Sequence, residues 1–259
     1  MSSRPWLDSR IRIGALPVDS VDFEGALDAI DDLVREKQGG RVFTPNVDHV
    51  VQAENDPRFR AAYQDVSLSL VDGMPLLWAS RLLKTPLPEK LSGSDLIMPL
   101  MRRAAERGYR VYFLGGAPGA AELARQKLEQ ELPSLRVVGI DDGRIDVNGG
   151  PDVQGPILQR IAAAQPDLLL VALGAPKQEL WSHEQRAGLG SAVAIGVGAS
   201  LDFIAGAQSR APRWMSESGL EWAYRLAQDP KRMASRYLLR DPQFFGIVAK
   251  QMWSPAAAG

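Results

Sequence analysis

The sequence predicts an α/β fold: an open, mostly parallel sheet with helices on both faces, followed by a helical C-terminal segment. Three observations predict it. From residue 110 onward, strands alternate with helices of roughly 10 to 15 residues, the strands are apolar throughout, and glycine follows the strand ends. Strands that are apolar on both faces favour parallel pairing in a sheet covered by helices. A chain of 259 residues is long enough for one large core with an appendage.

The first part of the chain contains helices and two strands. Asp22 to Lys37 carries apolar residues at three- and four-residue spacing, which predicts an amphipathic helix ending at Gly39-Gly40. The strand "RVFT" follows. After Pro45 we expect two helical pieces broken at Asp56-Pro57, because proline removes a hydrogen-bond donor and restricts the residue before it. The strand "SLSLV" then leads into Asp72-Gly73, where a helical pattern starts.

The second part alternates regularly between strands and helices. The predicted strands are "RVYFLGG", "LRVVGI", "DLLLVAL" and "AVAIGV". The predicted helices between them are "GAAELARQKLEQEL", "VQGPILQRIAAA" and "PKQELWSHEQ". In such sheets ligands bind beyond the carboxyl ends of the strands, where this chain places Gly73, Gly115, Gly116, Gly174 and Gly198.

Composition excludes several classes of function. A net charge of -1 provides no global attraction to nucleic acid. The absence of cysteine excludes disulfides, thiolate metal sites and cysteine nucleophiles. With only His49 and His183, we expect no histidine metal cluster. We expect no secretory signal, and the longest uncharged stretch, Ala187 to Leu201, is too short and too glycine-rich for a membrane span.

The character of the sequence changes near residue 207, which predicts a core of residues 1–206 and a basic, aromatic-rich helical appendage of residues 207–259. Within Arg210 to Arg240 lie seven basic residues against three acids, and three of the six tryptophans lie beyond residue 210. Such a helix fits an anionic membrane interface or a cover over a phosphate site. A helix packed on the core with a solvated basic face is the alternative.

Polar residues at strand ends are the candidate functional residues. Thr44 and Asn46 follow the first strand, and Asp72 follows the second. Lys177, Gln178 and Glu179 open a later helix, and Asp202 follows "GVGAS". The ends of parallel strands share one rim, so these residues are expected to meet in one pocket. Threonine, asparagine and glutamine suit sugar hydroxyls. Taken singly, each residue also has an ordinary interpretation as a turn former or, for Asp202, as a helix cap.

Other motifs are incomplete or missing. "FLGGAPGAAELA" lacks the G-x-G-x-x-G spacing of a dinucleotide loop, and the chain has no Walker lysine motif, no G-x-S-x-G elbow and no D-x-D pair. Two further hypotheses stay open beside a transferase. One is an NAD(P)-dependent Rossmann-like oxidoreductase, and the other is a non-catalytic sugar-nucleotide binding module.

Six stretches of residues 10–240 together carry a family resemblance. They are "FTPNVDHVVQA", "LVDGMPLLWASRLLKTPLPEKLSGSDL", "VYFLGGAPG", "LLLVALGAPKQELW", "AIGVGASLDFIAG" and "RAPRWMSESGLEWAYRLAQDPKR". In order and spacing they resemble the bacterial WecG/TagA/CpsF glycosyltransferases (glycosyltransferase family 26), whose fold is Rossmann-like. The resemblance implies a C-terminal appendage that docks on the membrane.

The resemblance also implies an inverting transferase that uses neither metal nor cofactor. Members move a sugar from a UDP-sugar to a saccharide on undecaprenyl diphosphate during the synthesis of cell-surface polysaccharides. N-acetylmannosamine, its uronic acid and glucose are the candidate sugars here. The implied location is cytoplasmic, peripheral on the inner face of the cell membrane. A homo-oligomer stays open, and no nucleic-acid partner is expected.

By the same resemblance, Asp72 is the candidate general base. The other implied substrate-binding residues are Thr44, Asn46 and Gln178 at the sugar, Asp202 toward the nucleotide, and Arg225, Arg232 and Arg236 from the appendage. Two positions depart from the family. Lys90, expected at the substrate, stands where many members have arginine, which keeps the charge but loses bidentate geometry toward phosphate. Arg144 stands where an aromatic residue is frequent, so no stacking on the base is expected there.

Overall fold

The protein is described by a computed structural model that covers residues 4–143 and 145–253, without the side chains of Pro5, Arg213, Glu217 and Arg232. Two short antiparallel strands near the N-terminus, β1 (Ile11–Ile13) and β2 (Leu16–Val18), form a hairpin. The main sheet consists of β3 (Gly40–Phe43), β4 (Leu68–Ser69), β5 (Arg110–Gly115), β6 (Arg136–Asp142), β7 (Leu168–Ala172) and β8 (Val193–Gly196).

Fourteen helices lie in the described residues. They are α1 (Pro5–Asp8), α2 (Phe23–Glu36), α3 (Val47–Asn55), α4 (Pro57–Gln64), α5 (Met74–Leu82), α6 (Gly93–Arg107), α7 (Ala120–Glu131), α8 (Pro151–Ala164), α9 (Lys177–Glu184), α10 (Ser200–Ala205), α11 (Arg213–Glu217), α12 (Glu221–Gln228), α13 (Pro230–Ser235) and α14 (Gln243–Trp253). A 3₁₀ turn at Arg186–Gly188 and a π-helical turn at Arg236–Arg240 complete the helical structure of this part of the chain.

The six strands of the main sheet run parallel, in the order β4-β3-β8-β7-β5-β6. Successive side chains of a strand point to opposite faces. In β7, Leu168 and Leu170 pack in the core that includes α2, α6 and α7, whereas Leu169 and Val171 pack against α8 and α9. Helices therefore cover both faces of the sheet, and the predicted parallel α/β architecture is confirmed.

Most predicted elements are present, with two differences. The helix break at Asp56-Pro57 is confirmed, since α3 ends at Asn55 and α4 begins at Pro57. The strand "SLSLV" is shorter than predicted, because only Leu68 and Ser69 pair along β3. The β1–β2 hairpin is absent from the sequence-based prediction, because three-residue strands carry little alternation.

The last helix, α14, returns to the main body of the protein. Phe244 and Val248 are buried against Val50 and Val51 of α3. The Gln251 side chain accepts a hydrogen bond from the Gly14 amide at 2.8 Å and donates one to the Arg12 carbonyl at 2.9 Å. The end of the described chain thus shares a core with the β1–β2 hairpin and α3. In the described ranges, none of the helices has the length and apolar character needed to cross a membrane.

Two adjacent phenylalanines test the packing of α14. Phe244 is 2% exposed and Phe245 is 72% exposed. We expect Phe244→Ala to lower the free energy of unfolding by about 3–5 kcal/mol, because it leaves a cavity in the core. The matched control Phe245→Ala should change it by no more than about 0.5 kcal/mol. Chemical denaturation measures both, and equal effects would contradict the packing of α14 in the core.

Candidate functional site

Two cavities lie beyond the carboxyl ends of the strands. The larger, which we call the large cavity, has a volume of about 850 Å³, and the second, the small cavity, has about 380 Å³. The loops after β5, β7 and β8 line one side of the large cavity, and α12 lines the other. The lining of the large cavity includes Gly116, Ala117, Lys177, Gly198, Asp202, Glu221 and Arg225. The lining of the small cavity includes Asn46, Asp72, Lys90, Glu221, Trp222, Arg225, Arg236, Leu238, Phe244 and Phe245.

Glu221 and Arg225 line both cavities and stand between them. They lie one turn apart on α12, and the Arg225 Nε donates to Glu221 Oε1 at 2.9 Å. Ser216 Oγ donates to the other Glu221 oxygen at 3.0 Å, and Lys90 Nζ donates to Ser216 Oγ at 2.7 Å. This polar network joins the loop before α6 to the C-terminal helices at the wall between the cavities.

Asp72 is held at the small cavity by the sheet. Its amide donates to the Pro45 carbonyl at 2.8 Å, which continues the parallel pairing beyond the end of β4. Gly73 then turns the chain into α5 with a φ of 95°, a conformation that a side chain disfavours. Strand pairing and this turn thus place the carboxylate in the cavity wall.

The surroundings of Asp72 raise its pKa to about 6. Burial is the main cause, since a buried carboxylate loses hydration, and the nearby Glu221 carboxylate adds to it. The charges of Arg225, Lys90 and His49 act in the opposite direction without cancelling the rise. At neutral pH the carboxylate is therefore ionised and is a stronger base than an ordinary aspartate.

Thr44 and Asn46 follow β3 but occupy different places. Asn46 lines the small cavity and caps α3, where its Oδ1 accepts from the Asp48 amide at 3.1 Å. Thr44 is buried, with its hydroxyl facing the start of α6, where a Cβ on Gly93 would lie 3.6 Å from Thr44 Oγ1. Neither the large nor the small cavity is lined by Thr44 in the described part of the chain.

Gln178 and Asp202 both act on glycine-rich loops at the large cavity. Gln178 lies behind Gly198, which lines the large cavity, and the Gln178 Oε1 accepts from the Gly198 amide at 3.0 Å. Asp202 lines the cavity, and its Oδ1 accepts from the Ala117 amide at 2.8 Å. Because Asp202 lies inside α10 and bonds to the loop after β5, it is not the cap of its own helix. That ordinary interpretation was wrong.

The arginines of the C-terminal helices reach both cavities. Arg236 lines the small cavity, and its Nη2 donates to Asn46 Oδ1 at 3.1 Å. Its Nε lies farther from two carboxylates, 3.5 Å from Asp48 and 3.6 Å from Asp241. The Arg232 side chain and Arg144 lie outside the described residues. The described residues contain no group of three or more acidic or histidine side chains arranged to hold a metal ion.

Sequence reasoning assigned no role in the site to Glu221, His49 or Glu179. The four-residue spacing of Glu221 and Arg225 on a helix was an available signal. The three-residue spacing from Asn46 to His49 was another, because a residue three positions after a helix cap can contact the cap, and His49 Nδ1 lies 2.9 Å from Asn46 Oδ1. No sequence spacing signals Glu179, whose contact with His49 joins residues 130 positions apart.

Comparison with known proteins assigns a class to this architecture. The model of the family described as glycosyl transferase WecG/TagA/CpsF matches residues 11–258. One relative, from Bacillus spizizenii strain W23, is 31% identical over 215 residues, which cover 83% of this chain and 80% of the relative. Another, from Bacillus subtilis strain 168, is 31% identical over 218 residues, 84% of this chain and 82% of the relative. Both are named N-acetylglucosaminyldiphosphoundecaprenol N-acetyl-beta-D-mannosaminyltransferase.

The charges around Asp72 can be tested by titration. Replacing Glu221 by Gln removes a neighbouring negative charge, so ionising Asp72 becomes easier and its pKa should fall from about 6 toward the ordinary aspartate range. Carboxyl carbon NMR of ¹³C-labelled protein, assigned with Asp72→Asn, measures both values. An unchanged or higher pKa in the Glu221→Gln variant would contradict the electrostatic account of this wall.

Proposed function

The chain belongs to the WecG/TagA/CpsF family and is a glycosyltransferase, and from that premise we propose that it transfers a sugar from a UDP-sugar to a saccharide on undecaprenyl diphosphate. The names of its relatives point to N-acetylmannosamine as the sugar and to lipid-linked N-acetylglucosamine as the acceptor. The uronic acid of N-acetylmannosamine and glucose are the alternative sugars. Family membership decides against the oxidoreductase and the non-catalytic binding module.

One observation carries the proposal: two adjoining cavities share the Glu221–Arg225 wall, and an ionisable carboxylate, Asp72, stands at that wall. A transferase needs two substrates that meet at a base, and this arrangement provides for both. The volume of the large cavity, about 850 Å³, suits a nucleotide sugar.

We assign the donor to the large cavity. The glycine-rich loops after β5, β7 and β8 bring main-chain amides close to a ligand, and Lys177 and Arg225 supply positive charge for a diphosphate. The N-terminus of α9 also lies there and favours an anion. Thr44, Asn46 and Gln178 as the sugar site, and Asp202 toward the nucleotide, stay predictions. Gln178 supports the Gly198 loop from behind.

We assign the acceptor to the small cavity. Trp222, Leu238 and Phe245 give it apolar walls suited to the lipid, whereas Lys90 and Arg236 offer positive charge to the diphosphate. Large apolar side chains of the C-terminal segment face solvent, including Leu239 and Trp253, which are 71% and 83% exposed. We propose that this surface rests on the inner face of the cell membrane, where the acceptor lipid resides.

The proposed reaction is one displacement. An acceptor hydroxyl oxygen attacks the anomeric carbon while its proton passes to the Asp72 carboxylate. The bond from that carbon to the UDP oxygen breaks, and UDP leaves with the electron pair. Attack from the opposite side inverts the configuration. Arg225 and the amides of the large cavity stabilise the charge on UDP, so the proposed mechanism uses no metal.

A transfer assay with purified protein tests this function. UDP-N-acetylmannosamine, its uronic acid counterpart and UDP-glucose are offered with a soluble lipid-diphosphate analogue of N-acetylglucosamine, in the presence of EDTA. We expect one donor to be transferred with inversion. Asp72→Asn should lower turnover by about 10²- to 10⁴-fold, because a positioned base is lost, with little change in UDP affinity.

The control for this substitution is Asp152→Asn at the exposed start of α8, which should retain full turnover. No transfer from any donor by the wild-type protein would refute the proposed function. Near-normal turnover of Asp72→Asn would remove Asp72 from the role of base.

Membrane docking can be tested by substitution of exposed residues. Deleting the whole C-terminal segment would also remove Phe244 and Val248 from the core, so it is a poor test. The double variant Leu239→Glu and Trp253→Glu should bind anionic liposomes at least about tenfold more weakly, because each large apolar side chain contributes roughly 1.5–3 kcal/mol when buried. Leu123→Glu on α7, 48% exposed and distant in sequence, is the control. Equal sedimentation of all three proteins with liposomes would contradict docking through this surface.

A further inference from the structure

A line of hydrogen bonds runs through the protein interior from the large cavity toward the small one. It begins at the Gly198 amide, which lines the large cavity and donates to Gln178 Oε1 at 3.0 Å. The Gln178 Nε2 donates to Glu179 Oε1 at 2.8 Å. Glu179 has no exposed surface, so its carboxylate depends on protein partners alone.

The line continues through His49 to the small cavity. His49 Nε2 lies 3.3 Å from Glu179 Oε1, and His49 Nδ1 lies 2.9 Å from Asn46 Oδ1. The same Asn46 oxygen accepts from Arg236 Nη2 at 3.1 Å. A buried acid is therefore connected, through one imidazole and one amide, to an arginine of the C-terminal segment.

Hydrogen-bond directions determine where the protons of His49 lie. Asn46 presents its oxygen, because the Asp48 amide and Arg236 both donate to that atom. The 2.9 Å contact from Nδ1 then requires a proton on Nδ1, since two lone pairs at that distance would repel. The 2.9 Å contact to Asn46 Oδ1 outweighs the longer one of 3.3 Å, in which the Asn46 backbone amide would donate to an unprotonated Nδ1. The contact between Nε2 and Glu179 requires one further proton between the two atoms.

His49 and Glu179 are polar groups buried in apolar surroundings, which is energetically unfavourable unless they are paired. His49 is 4% exposed, and its ring lies against Phe59 and Tyr63, with centroids 5.7 and 6.4 Å away. Replacing a buried polar pair by apolar residues is often neutral or stabilising, so such a pair adds little to stability. Its specific effect here is on the orientation of Asn46.

We propose that His49, held by Glu179, is a positioning residue that fixes Asn46 so that Arg236 stays in the small cavity, which Asp72 also lines. The inference rests on the proposed function, because it gives Arg236 a role toward the lipid diphosphate. The Arg236 guanidinium lies 3.1 Å from Asn46 Oδ1, closer than its distances of 3.5 Å to Asp48 and 3.6 Å to Asp241. Loss of His49 would leave the Asn46 side chain held only by the Asp48 amide and would weaken its contact with Arg236.

A double-mutant cycle on the full chain tests this proposal. His49→Phe keeps the ring packing and removes both nitrogens, and it should lower kcat/KM for the acceptor by roughly tenfold with UDP affinity retained. In the Arg236→Ala background the same substitution should cause no further loss, because its effect passes through Arg236. Multiplicative losses in the double variant would overturn the proposal. An inactive wild-type protein would instead refute the proposed function.

Variants of Glu179 separate positioning from general damage to the fold. Glu179→Gln keeps a group that can donate to His49 Nε2 and should retain most acceptor kcat/KM, whereas Glu179→Leu should match His49→Phe. Thermal denaturation of each variant reports any loss of folding. Equal activity losses for Glu179→Gln and Glu179→Leu would count against the positioning role.

Ring ¹⁵N NMR gives a readout that does not depend on activity. The chain has two histidines, so His183→Asn leaves only His49 in the spectrum. We expect a protonated Nδ1 at neutral pH, and Glu179→Gln should change the Nε2 signal while Nδ1 stays protonated. An unprotonated Nδ1 would overturn the assigned hydrogen bonds. His183→Asn is also the matched control in the activity assay, with no change expected in kcat/KM for the acceptor.

Discussion

The parallel pairing of β3 with β4 is the contact on which the candidate active site depends. It continues past both strands to the bond between the Asp72 amide and the Pro45 carbonyl. The position of Asp72 relative to the Thr44–Asn46 turn is therefore fixed. A side chain on a mobile loop would lose conformational entropy each time it bound a substrate. Here the sheet has already ordered the backbone on both sides of the small cavity.

The wall between the cavities comes from a different part of the chain. Glu221 and Arg225 belong to α12, yet their charges act on the pKa of Asp72 in opposite directions, beside the larger effect of burial. Lys90 and Ser216 connect α11 to the loop before α6 at the same wall. The C-terminal helices thus contribute part of the lining of both cavities.

Much of the fold was predictable, because long apolar strands and amphipathic helices each impose a clear period. The rim of the sheet was predictable for the same reason, and it placed Asp72 and Asp202 at cavities. The directions of individual side chains were not: Gln178 turns away from the large cavity to hold Gly198, and Thr44 faces α6. The sequence gives no sign that Glu179 pairs with His49, because that contact depends on tertiary structure alone. The return of α14 was missed because Phe244 and Phe245 look alike in sequence, although only one is buried.

Phe244 belongs both to the hydrophobic core and to the lining of the small cavity. Any molecule that fills the small cavity therefore contacts a side chain that the hydrophobic core also needs. Evolution can tune the neighbouring, exposed Phe245 to a new lipid or saccharide at little cost, whereas a change at Phe244 must be repaired elsewhere in the core. Substitutions that reshape this pocket without disturbing the fold are therefore expected at exposed positions such as Phe245, and not at Phe244.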